Sequence, residues 1–120
     1  MIFQNEFLPL ILSGRKTQTR RTNKRQLNVG KIYSIQVNRT TSTGHYLRIT
    51  KRYSQRLGEV TEDEAHREGF NSLEEFRHKW ISIYGSWEPE QVVVVYEFIV
   101  IDESTRATLD KCLQSGKQCE

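Results

Sequence analysis

Gly14-Arg15-Lys16-Thr17-Gln18-Thr19-Arg20-Arg21 closes an apolar helical run and opens a β-prone one. Upstream, Glu6 to Ser13 reads as a short helix, with Asn5 as its cap, Pro9 confined to the first turn and Gly14 as its stop. Thr17 to Arg21 is then the first strand. These eight residues hold four cations and two threonine hydroxyls. Cations beside hydroxyls suit a phosphate, a nucleobase carbonyl or an oxyanion, and a Lys three residues before a Thr suits a base beside a nucleophile. Alternation along a strand puts Thr17, Thr19 and Arg21 on one face and Gln18 and Arg20 on the other. Lys16 therefore reaches Thr19 only from a turn, which Gly14 supplies.

Downstream, Asn23 to Gly30 is a polar, basic loop. Lys31 to Val37 reads as a strand, Asn38 to Gly44 as a hairpin-like loop, and His45 to Gln55 as the next strand with Leu47, Ile49 and Tyr53 sharing a face. Thr61 and Glu64 form a capping box that opens a helix ending at Gly69. Ser72 and Glu75 form a second box. Leu73, Phe76, Trp80 and Ile83 follow as one apolar stripe, with Gly85 as the stop. Val92 to Ile101 is a nearly continuous apolar run, expected to be a strand buried on both faces. The order predicts a small α+β domain around a curved or barrel-like sheet over residues 1–101, with 102–120 a polar, partly flexible C-terminal tail.

A chain of 120 residues is expected to form one domain with its own core. Cys112 and Cys119 stand in the tail without a nearby His, a poor zinc pattern. They read as reduced thiols, with a tail disulfide as the alternative. His45, His66 and His78 are scattered, so neither a metal nor a cofactor is expected. The N-terminal residues lack the signal-peptide pattern and the longest apolar run is too short to span a membrane, which favours a soluble cytoplasmic protein. The sequence does not give the oligomeric state; a monomer is the simplest expectation.

Net charge is only +3, yet Phe7 to Gly58 contains no acid and holds 12 of the 18 Lys and Arg, while Glu59 to Glu103 holds 12 of the 15 acids. Two readings follow: two segments that neutralise each other, or a basic half that meets a polyanion. Arg20, Arg21, Lys24 and Arg25 cluster with few aromatics, which suits phosphate contacts more than base stacking. Arg21, on the Thr19 face, is the candidate to face a cleft, and Arg15, Arg20, Lys24 and Arg25 are candidate rim charges. Tyr46 and Tyr53 suit sheet packing more than base stacking, and Phe76 and Trp80 suit the core.

Gly14-x-Lys16-x-x-Thr19-x-Arg21 after an apolar helix resembles the signature of ASCH domains, of the PUA-like superfamily. Val29-Gly30-Lys31 before a strand, Glu68-Gly69-Phe70, Ser72 to Trp80 and the closing strand to Ile101 agree with it. The resemblance implies a small β-barrel with helices packed over its openings and a cleft for RNA or nucleotides. Where the family commonly carries Glu, this chain has Thr19. That resembles the branch of small bacterial proteins that hydrolyse N4-acetylcytidine with a Lys, a Thr three residues later and a distant Glu. Residue by residue these match Lys16, Thr19 and, through the helix before Gly69, Glu68.

The chemistry asks much of Lys16. At a reference pKa of about 10.4, roughly one lysine in 2,500 is neutral at pH 7. Arg15, Arg20, Arg21 and desolvation lower that pKa, while an ionised Glu68 opposes them. Lys16 is thus either the base for Thr19 or water, or a charged group that stabilises the oxyanion. Each residue also has a plain reading: Lys16 a loop lysine, Thr19 an ordinary strand threonine, Glu68 an exposed helix-end acid. Glu68 in the last helical turn meets the negative end of the helix dipole, which costs about 0.3–1 kcal/mol unless a cation compensates. The rivals to an amidohydrolase are a non-catalytic RNA-binding module and RNA phosphodiester cleavage.

Overall fold

The computed structural model describes residues 1–22 and 27–101. Lys24, Arg25 and the tail beyond Ile101 with its two cysteines lie outside the described residues. In chain order the elements are α1 (Leu8–Leu12), β1 (Gln18–Arg21), β2 (Ile32–Gln36), β3 (Ser42–Arg56), α2 (Glu62–Arg67), α3 (Leu73–Tyr84) and β4 (Val92–Ile101). Single 3-10 turns precede α1 at Asn5–Phe7 and follow β3 at Leu57–Glu59.

Helix α1 is shorter than the sequence implies. Its first turn is the 3-10 segment, Asn5 lies inside that segment, and no side chain caps it; Pro9 does stand in the first turn of α1. Helix α2 carries the full capping box between Thr61 and Glu64. At α3 only half of the expected box forms: Ser72 Oγ accepts from Glu75 N at 3.1 Å, the return bond from Ser72 N to the Glu75 carboxylate is absent, and the helix ends at Gly85. Phe76 and Trp80 are buried, but Ile83 is 44% exposed, so the expected apolar stripe thins at its C-terminal end.

Among the described residues the strands form one antiparallel sheet in the order β1-β4-β3-β2. The architecture is α+β, as the element order predicts. The sheet is not closed into a barrel: β1 and β2 remain its two edges. Residues 1–3 run along β2 instead, through Gln36 N to Met1 O and Phe3 N to Gln36 O, both 2.8 Å. From the other edge Arg21 Nη2 reaches Ile2 O at 2.7 Å. A side-chain bond thus spans the gap that a further ladder would fill.

Central β4 has apolar residues at nearly every position, and both its faces are covered. Val93 and Val95 are buried on one face, and Tyr96 and Phe98, of opposite parity to that pair, are also buried. Each fully buried side chain of this size stabilises the fold by about 1.5–3 kcal/mol relative to exposure. A bulge between Ile49 and Lys51 shifts the pairing of β3 with β4. Leu47 and Ile49 pair with Val100 and Phe98, whereas Tyr53 pairs with Val95. Tyr53 therefore joins the opposite face from Leu47 and Ile49, against the simple alternation. Phe7, Phe70 and Phe76 connect the helices edge to face, at centroid distances of 5.9 and 5.5 Å.

Candidate active site

The turn at Gly14, with φ of +81°, releases the chain from α1. Lys16 N then donates to Leu10 O at 2.9 Å, and Thr17 N to Arg67 O at 2.8 Å. The first bond ties the entry of β1 to α1 and the second ties it to the end of α2. Gly69 makes the approach possible: it has φ of +104°, and an added Cβ would lie 3.1 Å from Leu10 Cδ1 and 3.5 Å from Lys16 Cβ. Only glycine accepts both the backbone angle and the crowding.

The Lys16 ammonium donates to Glu68 Oε1 and to Glu68 O, each at 2.9 Å. It also lies 4.7 Å from the centroid of Phe7. Lys16 is 3% exposed and Glu68 4%. Glu68 is the C-cap of α2, so the unfavourable helix-end charge is offset by buried cations. Its second oxygen, Oε2, accepts from Arg20 Nη1 at 2.9 Å. One carboxylate is shared between two cations.

Arg20 is not a rim charge. It is 4% exposed, because α2 covers the face of β1 that simple alternation would turn outward. Its Nε donates to Gln55 Oε1 at 2.9 Å, its Nη1 also to Gln18 Oε1 at 3.1 Å, and its Nη2 to Glu64 Oε2. Gln55 Nε2 in turn donates to Glu64 Oε1 at 3.1 Å. Arg21 Nε donates to Thr19 Oγ1 at 3.3 Å, and its guanidinium stands 4.8 Å from the Phe3 ring. Arg15 is exposed and bonds Asn71 Oδ1.

Lys16, Thr19, Arg20, Arg21 and Glu68 all line one cavity of about 240 Å³. Phe3, Phe7, Phe76, Trp80 and Tyr84 supply an aromatic lining around them. Trp80 and Tyr84 stack at 4.2 Å between centroids. The Trp80 indole Nε1 is buried and has no hydrogen-bond partner among the described residues. Lys79, also at the cavity, is paired with Glu6.

Burial pushes the Lys16 ammonium below the usual lysine range. The Glu68 charge and hydrogen bond oppose that shift, and Arg21 and Arg20 add to it. Burial likewise lowers Arg21, against the pull of Tyr84, Glu68 and Tyr96. For Glu64, burial works upward, but the Gln55 bond, Arg20 and the Thr61 cap outweigh it and hold the carboxyl below its ordinary value. A neutral lysine keeps two N–H groups and one lone pair. Glu68 offers Lys16 two acceptors, one for each N–H, which leaves the lone pair for a proton.

Among the described residues no group of three or more His, Cys, Asp or Glu is set to hold a metal ion, and no helix is long and apolar enough to cross a membrane. Glu64 and Gln55 escaped the reading of the motif, and Gln18, expected at the rim, is buried. Glu64 and Glu68 stand four apart on α2 and so share a face, a signal available in the sequence.

A family model described as the ASCH domain matches residues 1–102. The chain belongs to the ASCH domain family. Solved structures agree on the fold. The ASCH domain from Lactobacillus crispatus JV V101 has a TM-score of 0.67 at 19% identity, over 80% of this chain and 70% of that one. A protein from Enterococcus faecalis V583 gives 0.62 at 21%, over 86% and 72%. The ASCH protein of Zymomonas mobilis gives 0.59 at 18%, over 82% and 64%. At such identities the likeness shows the ASCH, PUA-like fold alone. No curated protein matches the chain.

Proposed function

We propose that this ASCH domain binds a modified pyrimidine nucleoside, free or in RNA, and hydrolyses an exocyclic amide of the N4-acetylcytidine type. Lys16, Thr19 and Glu68 are the acting residues, and the expected setting is the cytoplasm. The observation that supports this reading is the buried Lys16–Glu68 pair at the wall of an aromatic-lined cavity that Thr19 shares. A flat, uncharged base suits such walls, and the unpartnered Trp80 indole would find an acceptor on a base carbonyl.

In this mechanism neutral Lys16 takes a proton from the Thr19 hydroxyl or from a water held in its place. The freed oxygen bonds to the acetyl carbonyl carbon, and the carbonyl electron pair moves onto oxygen. Arg21 already donates to Thr19 Oγ1, so the hydroxyl hydrogen is free for transfer and the developing alkoxide is stabilised. Collapse breaks the bond to N4, and the Lys16 ammonium returns its proton to the leaving amine. With Thr19 as nucleophile, a water repeats the sequence on the acyl group and releases acetate. Glu68 orients Lys16 throughout.

The RNA-binding module is the alternative. It is less favoured because Lys16 and Arg20 are already occupied by internal carboxylates and are not free for phosphates. Phosphodiester cleavage is less favoured still, since no histidine lines the cavity among the described residues. The test is product analysis with N4-acetylcytidine. The wild type should yield cytidine and acetate, and Thr19→Ala and Glu68→Ala should each lose most of that rate. Variants that match the wild type would remove these residues from the mechanism, and salt-sensitive RNA binding without hydrolysis would favour the module.

A further inference from the structure

Arg20 stands outside the Lys16–Thr19–Glu68 set, yet its side chain makes four hydrogen bonds at the site. Its three nitrogens engage Gln55, Gln18, Glu64 and Glu68, and the side chain is fully enclosed. It is placed between two carboxylates, Glu64 and Glu68, and Glu68 is also the acid that holds Lys16. We infer that Arg20 is a positioning residue that weakens the hold of Glu68 on the Lys16 proton, through the carboxylate they share. The inference rests on the proposed role of Lys16 as a base.

The argument is a matter of sharing. A carboxylate with a single buried ammonium partner favours the charged form of that partner strongly. Here Glu68 turns Oε1 to Lys16 and Oε2 to Arg20. The guanidinium, always charged, draws on the same negative charge and repels the ammonium. Lys16 is thereby eased toward the neutral amine that abstraction requires, while its two bonds to Glu68 keep it oriented. Glu64 completes the device from behind: it shares the Arg20 charge but makes no contact with Lys16.

The other charged groups around Lys16 are few. Arg21 faces it from β1 and adds to the same shift. Lys79 of α3 stands 5.8 Å from the centroid of the same Phe7 ring and is paired with Glu6. Glu68 of α2 is the acid in contact with it. Arg20 is thus the cation that shares Glu68 with Lys16.

The test is a direct titration of the Lys16 side-chain nitrogen by NMR in the full chain, which requires no substrate. In Arg20→Leu the Lys16 midpoint should move up, because Glu68 then serves Lys16 alone. In Glu64→Gln it should move down, because Arg20 is left to lean wholly on Glu68. Glutamine keeps the length of Glu64 and can still complete the capping box. Opposite shifts from the two variants, with the Arg20→Leu shift abolished when Glu68 is replaced by Gln as well, support the assignment, whereas a through-space effect of the Arg20 charge alone survives that replacement. An unmoved midpoint in folded Arg20→Leu, or shifts of the same sign, overturns it. Should Arg20→Leu fail to fold, Glu64→Gln decides alone: a downward shift supports the assignment and an unmoved or upward one overturns it. Where hydrolysis is measurable, the rising limb of kcat/KM against pH should follow the same shifts. A chain that hydrolyses nothing would remove the proposed activity and still leave the titration to judge Arg20.

Discussion

Glu68 shows how much depends on one side chain. It offsets two buried cations, so its removal strands Lys16 and leaves Arg20 with Glu64 as its one carboxylate. Glu68→Ala should cost about 3–5 kcal/mol of stability, read from urea unfolding. Lys16→Ala should cost less, because Glu68 then keeps Arg20. Glu64 gives a pH dependence with a definite sign. Its folded pKa lies below the ordinary value of 4.5, so its contribution is present above pH 4.5 and is lost as pH falls through the lower folded value. Acid unfolding curves of Glu64→Gln should be flatter over that range than those of the wild type. That Lys16, Thr19 and Glu68 line one cavity was legible in the sequence, because a short motif and a helix end carry them. Arg20 was not. Alternation sets it opposite Thr19, and on an edge strand that face reads as solvent until α2 is known to cover it.

At the scale of elements, the end of α2 meets the entry of β1 beside Gly69, whose missing side chain permits the approach. Gly69→Ala should destabilise by about 1–3 kcal/mol from the backbone angle alone. The added methyl also presses on Leu10 and Lys16, so the Lys16 environment should change with it, visible in the same side-chain NMR signal. The Thr61 cap is independent of that contact, and Thr61→Ala should cost about 0.5–2 kcal/mol in urea unfolding. Strand β4 and the caps of α2 and α3 were readable because each rests on local chemistry: an unbroken apolar run, or a hydroxyl that accepts from an N–H three residues on. The side of Tyr53 was not, because a bulge between Ile49 and Lys51 reverses the alternation without any glycine or proline to announce it. Barrel closure failed for a related reason. Residues 1–3 and the Arg21 bond occupy the gap between β1 and β2, a long-range arrangement that no local pattern encodes.

For the whole molecule, the charge segregation along the chain turns inward. The acid-free segment sends Lys16 and Arg20 to meet Glu64 and Glu68 of the acidic segment. Arg15 and Arg21 of the motif form no ion pair among the described residues, whereas the two segments neutralise each other at the site through Lys16 and Arg20. Hydrolysis of a free nucleoside should therefore respond weakly to salt, changing less than about twofold in kcat/KM between about 50 and 200 mM. RNA held by six or more phosphate contacts would lose about a thousandfold in affinity over the same range. The most direct measurement is cytidine release from N4-acetylcytidine by the wild type and by Lys16→Ala, both checked for folding by circular dichroism. Release by the wild type, slowed about a hundredfold or more in Lys16→Ala, is the expected result. No release by the wild type, or equal release by both, would contradict a lysine-based amidohydrolase.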